Sequence, residues 1–234
     1  AYLSNDNAIS FQGEDYERLF LHVIGMLNYA ALNQPQSALV EARKLDNKTR
    51  YFKQNPEKSI SRYQEDPLGR YIAGLLYEEN RDNNDAWIDF KKSIHAFDAN
   101  PTTEVPASLT QDATRVAHLH GMHEEQAEQE KRFGPFNKKF PLTKQSGEVI
   151  IVFENGYNTY KIERDGLPYQ PPKSSTVNVA RVKALQTGTI VQSEAFRDVV
   201  QQTRHRLQER MPEIEKRLAK QRAAKAAVSV GVGL

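Results

Sequence analysis

His118, His120 and His123, followed directly by Glu124, are the side chains of this sequence best spaced to approach a divalent cation. Zinc needs three or four converging ligands, each braced by a second partner. Gly121 falls inside the run and interrupts the helix that would align them, so the pattern reads as a solvated helix end and no metal site is expected. The acid pairs Glu78-Glu79 and Glu124-Glu125 are expected on exposed helix faces. No serine or threonine stands in a recognisable pattern with a base and an orienting acid, and no glycine-rich phosphate loop is present. The chain has no cysteine, which removes thiolate chemistry and disulfides from it. These residues predict neither a catalytic centre nor a cofactor.

What the chain does contain is a repeat. Residues 19–45 and 67–93 read as the same helical hairpin set 48 positions apart. Aligning Tyr29 with Tyr77 also aligns Ala38 with Ala86, and the polar breaks Asn33-Gln34-Pro35 and Arg81-Asp82-Asn83 coincide. In the tetratricopeptide motif an aromatic on the first helix packs over a small residue on the second, and a later aromatic fills the gap to the next unit. Tyr29 and Ala38 take those roles in the first unit; Gly74, Tyr77, Ala86 and Phe90 take them in the second. The departures are Met26 where glycine is expected, and His22 and Arg70 where the motif has tryptophan.

Elsewhere the period changes along the chain. The first helix buries a stripe of Leu19, Phe20, Val23, Ile24, Leu27 and Ala31, and Pro35 suits the first turn of its partner. The polar stretch 46–66 is read as an extension of the second helix followed by a crossover, because a repeat of this kind needs only about 34 residues. A third helical stretch carries Leu109, Ala113, Val116, Ala117 and Leu119, and Gly121 is placed to end it in the left-handed conformation. A charged helical continuation over 124–132 closes at Gly134-Pro135. Residues 148–153 and 157–162 then alternate with strand character around Asn155-Gly156, a pair suited to a two-residue hairpin turn. Residues 167–172 read as a proline-rich connection, and 177–182 and 189–192 as further strands. Helical spacing returns with Ser193-Glu194 as its start, and Pro212 is expected to break or restart that helix.

This pattern is an α+β chain: a tetratricopeptide-like helical domain at 1–135, a small β domain at 145–192, and an amphipathic basic helical segment with an apolar tail at 193–234. The repeat's inner face is expected to carry Phe20, Val23, Leu27, Leu68, Tyr71 and Leu75. These are apolar, so the face is either covered by the chain's own helices or takes an amphipathic helix. The basic segment admits three uses. It packs on the domain; it pairs with another protein or a second copy through Val200, Leu207 and Ile214 with Met211 and Leu218, spaced in sevens; or Lys216, Lys220 and their basic neighbours sit against anionic lipid. It lacks the interleaved aromatics that stack on bases, so nucleic acid is not expected there.

Composition sets outer limits. At 234 residues, 38% apolar and 26% charged, the chain can bury a core. A net charge of +2 makes no case for a nucleic-acid partner. The mean hydropathy of −0.70 is polar, and no run of about eighteen apolar residues exists to span a bilayer.

The order of several segments resembles a group of proteobacterial envelope proteins, many of them lipoproteins, with a tetratricopeptide-like front half. The matching segments are Tyr16-Glu17-Arg18, residues 38–43, residues 66–71 with 74–78, and residues 85–90. Residues 147–156 resemble that family's Gly-Glu-Val…Glu-Asn-Gly strand signature, and residues 209–225 its basic helix. The resemblance implies a periplasmic location, associated with the outer membrane peripherally or through a lipid anchor on a cysteine upstream of Ala1, and a chain that continues past Leu234. It implies partners among other envelope proteins, including outer-membrane lipoproteins, and carries over no catalytic residue. The function expected is therefore a non-enzymatic adaptor or scaffold in an envelope assembly. A wall-associated glycan-binding module or enzyme is the first alternative. A homo-oligomeric subunit of a ring or filament is the second.

Overall fold

A computed structural model describes residues 13–55, 65–99, 104–136, 148–155, 160, 162–164, 167–171, 179–186 and 188–231. Among them the chain is mostly helical, with two small antiparallel sheets, an α+β composition. Six helices pair in order: α1 (Asp15–Ala31) with α2 (Pro35–Gln54), α3 (Pro67–Glu79) with α4 (Asn83–Asp98), and α5 (Ala107–Leu119) with α6 (His123–Phe133). The strands are β1 (Ile162–Arg164), β2 (Leu167–Tyr169), β3 (Arg181–Lys183) and β4 (Ile190–Gln192). The last helix is α7 (Val199–Gly231).

The three hairpins turn in the same way. The N–H of Gln34 donates to the Tyr29 carbonyl at 2.8 Å, that of Asp82 to Tyr77 at 2.9 Å, and that of Met122 to Ala117 at 2.9 Å. The preceding residue is left-handed each time: Asn33 at φ 55, Arg81 at φ 67 and Gly121 at φ 68. This is the Schellman closure, which satisfies carbonyls the helix end leaves over. A third hairpin therefore follows the two legible in the sequence, where 107–133 reads as a helix and its charged continuation. Its disguise is chemical: Ala117 stands where the others have tyrosine, Gln126 where they have alanine, and its spacing from the second hairpin is 40 residues.

Packing follows from these alignments. Ala38 and Ala86 are fully buried, Tyr77 is buried, and Tyr29 packs against the same core. A Cβ on Gly74 would stand 2.5 Å from the Phe90 ring, so only glycine lets α3 approach α4 this closely. Met26, the counterpart of Gly74, fills its own site with no exposure. Only Gln129 is buried on α6, as befits the last helix of a stack.

Two compact units divide the chain. One comprises Asp15–Gly156 and Thr176–Arg197, with the hairpins and the β3–β4 pair. The other comprises Ala1–Glu14, Tyr157–Ser175 and Asp198–Leu234, with β1–β2 and α7. The segment expected as one β domain thus forms two separate two-stranded sheets, one in each unit.

Three local expectations change. Residues 148–155 have no regular structure, and 156–159 lie outside the described residues. A strand with five consecutive apolar side chains needs cover on both faces, which neither small sheet supplies. The proline-rich stretch is instead strand β2, with Pro168 opposite Glu163. A two-stranded sheet leaves outward positions where a missing N–H breaks no ladder bond. Finally, α7 begins at Val199, not at Ser193. Asp198 accepts from the Gln201 N–H at 2.9 Å as its cap, and the helix runs on through Pro212.

Candidate protein-binding face

The helical unit carries a segment of its own chain across α1, α3 and α5. Residues 193–197 lie between β4 and α7, and each anchor uses a different kind of contact. The Glu194 carboxylate accepts from the Ala107 and Ser108 amides at 2.7 and 2.8 Å. These are the first N–H groups of α5, whose preceding residue, Pro106, offers no side-chain cap. A carboxylate there meets both the orphan donors and the positive end of the helix dipole. Phe196 stacks on Tyr71 of α3, with centroids 4.5 Å apart, and meets Phe97 of α4 edge-on at 5.9 Å. Arg197 lies over the Phe20 ring of α1 at 4.1 Å, pairs with Asp66 at 2.7 Å, and donates to the Tyr16 carbonyl.

The six residues expected on the inner face sort themselves against this segment. Phe20 and Tyr71 touch it directly. Val23 is fully buried in the core, while Leu27, Leu68 and Leu75 are half-buried against it. The cover comes from an extended stretch, not from a helix. Glu194, read as the start of a helix, caps a different helix instead.

Two buried guanidiniums brace the hairpins beneath. Arg70, 1% exposed, sits among Glu65 at 2.6 Å, Asp89 at 2.8 Å and Asp46 at 3.0 Å. Lys92 joins Asp46 at 2.8 Å, and Lys53 joins Glu65 at 2.6 Å. Burial works against the charge on Arg70, but the three carboxylates overcome it and hold its pKa above the ordinary value. Burial likewise works against Asp46, yet the Lys92 hydrogen bond and the Arg70 charge bring it down to about 2. Asp89 goes the other way, because its desolvation outweighs Arg70 and Lys92.

The equivalent slot in the first hairpin holds His22, paired with Glu41 at 2.7 Å, and Lys44 pairs with Glu41 at 2.7 Å. His22, Glu41 and Lys44 each lie 48 residues before Arg70, Asp89 and Lys92. These equivalent positions of the two hairpins are thus both filled by a basic side chain bound to an acid on the neighbouring helix. In sequence both positions read as departures from the motif; their shared spacing to an acid is the signal for this arrangement.

The second guanidinium, Arg115, is 4% exposed and links α5 to α3 through a bidentate pair with Glu78. Asp112 stands at 3.1 Å and Glu148 at 3.5 Å. Asp112 also accepts from the Tyr71 hydroxyl at 2.6 Å. Burial, joined by the Asp112 charge, pushes the Tyr71 phenol up. Burial raises Glu78 against the pull of Arg115, and burial with Asp112 raises Glu148. Glu78 is therefore no solvated face: it is half-buried and committed to Arg115. Pairing across α3 and α5 has no sequence periodicity, which hid it.

The histidine run has other engagements. His118 Nδ1 lies 3.2 Å from the Gln126 side-chain Oε1, and His120 Nδ1 lies 3.2 Å from the Asn83 side-chain Nδ2. Among the described residues no group of three or more His, Cys, Asp or Glu side chains converges as a metal site.

In the other unit, Val200, Leu207, Met211, Ile214 and Leu218 are half-buried along α7, and Lys216 and Lys220 are exposed. Glu14 binds α7 through Arg206 at 3.3 Å and Arg210 at 2.7 Å. No described helix is long and apolar enough to cross a membrane. The chain matches no protein-family profile, no curated protein and no solved structure.

Proposed function

We propose that this chain is a non-enzymatic adaptor built on a tetratricopeptide-like stack, acting on the periplasmic side of a bacterial envelope. One observation carries the binding role. The first helices of the hairpins hold an extended peptide by an acid, an aromatic and a base, and that peptide is residues 193–197 of the chain itself. Repeat stacks bind partners on such faces. The three identical turns and the recurring base–acid slot support the repeat reading. The resemblance of the ordered segments to envelope lipoproteins supports the location.

A labelled peptide with the sequence of residues 192–198 tests the binding role. Glu194→Ala with Phe196→Ala empties two anchors, and this variant is expected to bind the peptide in trans while the wild-type chain does not. A variant with unchanged helical content that takes up no peptide overturns the reading. Location is tested separately, by fractionating cells that express the gene with its native flanks. Recovery in the cytoplasm removes the periplasmic assignment.

A further inference from the structure

Residues 149–153, Val-Ile-Ile-Val-Phe, are all exposed, Val149 by 82%, although every one is β-branched or aromatic. Among the described residues no hydrogen bond engages them. Such residues favour strands, and a five-residue apolar run is the composition of a strand covered on both faces. It lies in the helical unit together with a sheet that lacks strands. Among the described residues β3 and β4 pair only with each other, and they expose Val182, Ile190 and Val191. A lone two-stranded hairpin is marginal in water, and a third strand with apolar cover is what stabilises it.

The β3 edge is open in a specific way. Ser193 N–H donates to Ala180 and Ala184 N–H to Thr189, so alternate residues of β3 face β4. By that alternation the main-chain groups of Arg181 and Lys183 face outward. Both carry basic side chains, whereas the apolar run is bounded by Glu148 and the exposed Glu154.

We propose that residues 149–153 of one copy add as a strand to the open β3 edge of a second copy. Charge selects this arrangement over the run pairing with itself. Antiparallel self-pairing about Ile151 would set Glu148 of each copy against Glu154 of the other, two like-charge contacts. Addition to β3 in the antiparallel register that sets Glu154 opposite Arg181 pairs an acid with a base and sets no like charges opposite each other. A donor on one surface and an acceptor on another make a head-to-tail contact, which propagates into a ring or a filament. The outward groups of Arg181 and Lys183 take no part in the contacts that anchor Glu194, Phe196 and Arg197.

Sedimentation velocity of four samples decides it: wild type, Ile151→Pro, Lys183→Pro, and an equimolar mixture of the two variants. Proline at 183 removes an outward N–H and leaves the β4 ladder intact. Wild type is expected to form species beyond the dimer as concentration rises, and each variant alone to stay monomeric. The mixture is expected to stop at the dimer, because Lys183→Pro still donates a strand and Ile151→Pro still accepts one. A wild type that stays monomeric or stops at a dimer overturns the proposal. So does either variant assembling alone, or a mixture that fails to pair. The 234 residues contain no cysteine, which gives a second readout that needs no proline. A short bismaleimide is expected to join Ile151→Cys chains to Lys183→Cys chains after mixing, and not Ile151→Cys chains to each other. Failure to form that mixed dimer also overturns it.

Discussion

Arg70 and Arg115 are both buried cations facing three carboxylates, yet Asp46 beside Arg70 is lowered, whereas Asp89 in the same cluster and Glu78 and Glu148 around Arg115 are raised. Around Arg70 the acids are met by further cations, Lys92 and Lys53, and Asp46 is held well below its ordinary range. Around Arg115 no second cation approaches among the described residues, and Glu78 and Glu148 are raised. Burial and opposing charge set the direction of a carboxylate's shift together: Arg70 and Lys92 lower the half-buried Asp46, whereas burial outweighs the same two cations at Asp89. One cluster is a balanced ionic joint, and the other keeps a surplus of acid within reach of Tyr71 and the 148–153 run.

The largest test of that contrast removes each guanidinium. Arg70→Met strands the buried Asp89, leaves Asp46 and Glu65 with Lys92 and Lys53 alone, and is expected to cost about 3–5 kcal/mol in urea unfolding. Arg115→Met is expected to cost less. Its cost should also shrink between pH ~7 and pH ~5, because Glu78 and Glu148 take up protons once the cation is gone. Equal costs at both pH values would erase the distinction.

A smaller effect follows from Asp46. Its folded pKa is lowered from 3.8 to about 2, so its stabilisation is complete above the unfolded value and is lost as pH falls through 2. Asp46→Asn is expected to flatten the acid limb of stability between pH ~4 and ~2 by about 1–2 kcal/mol, allowing for its partial exposure. An unchanged limb would show that Lys92 and Arg70 do not hold this carboxylate.

The smallest effect has the opposite sign. Glu78 and Glu148 are raised, so their protonation favours the folded chain. That contribution is present below 4.5 and disappears as pH rises through the raised values. Glu148→Gln is therefore expected to stabilise the chain near neutral pH by a few tenths of a kcal/mol, since the group is partly exposed. Thermal unfolding that shows a loss instead would make Glu148 a needed partner of Arg115.

The sequence disclosed what repeats with helical period and hid what does not. The first two hairpins were legible because Tyr29 and Ala38 recur as Tyr77 and Ala86, and Gly121 marked the left-handed turn of the third. The third hairpin escaped recognition because Ala117 and Gln126 replace the marker residues. The 148–153 run has every local mark of a strand, but strand formation needs a neighbour that sequence pattern does not supply. Pro212 misled in the other direction. A helix of 33 residues has enough intact turns on both sides to tolerate one missing donor. The anchors of the face, Glu194, Phe196 and Arg197, lie far along the chain from the helices they contact. No periodicity of 3.6 or 2 could report them.

Asp66 gives the seated segment an internal gauge. One carboxylate oxygen accepts from the Gly69 amide at the start of α3, and the other meets Arg197. The same side chain thus closes the first turn of a core helix and latches a distant stretch of chain. If residues 193–197 lift away, an uncompensated anion remains at a site 1% exposed, and the Gly69 amide should exchange with solvent faster. Deuterium uptake at one peptide bond would then count how often the face stands open.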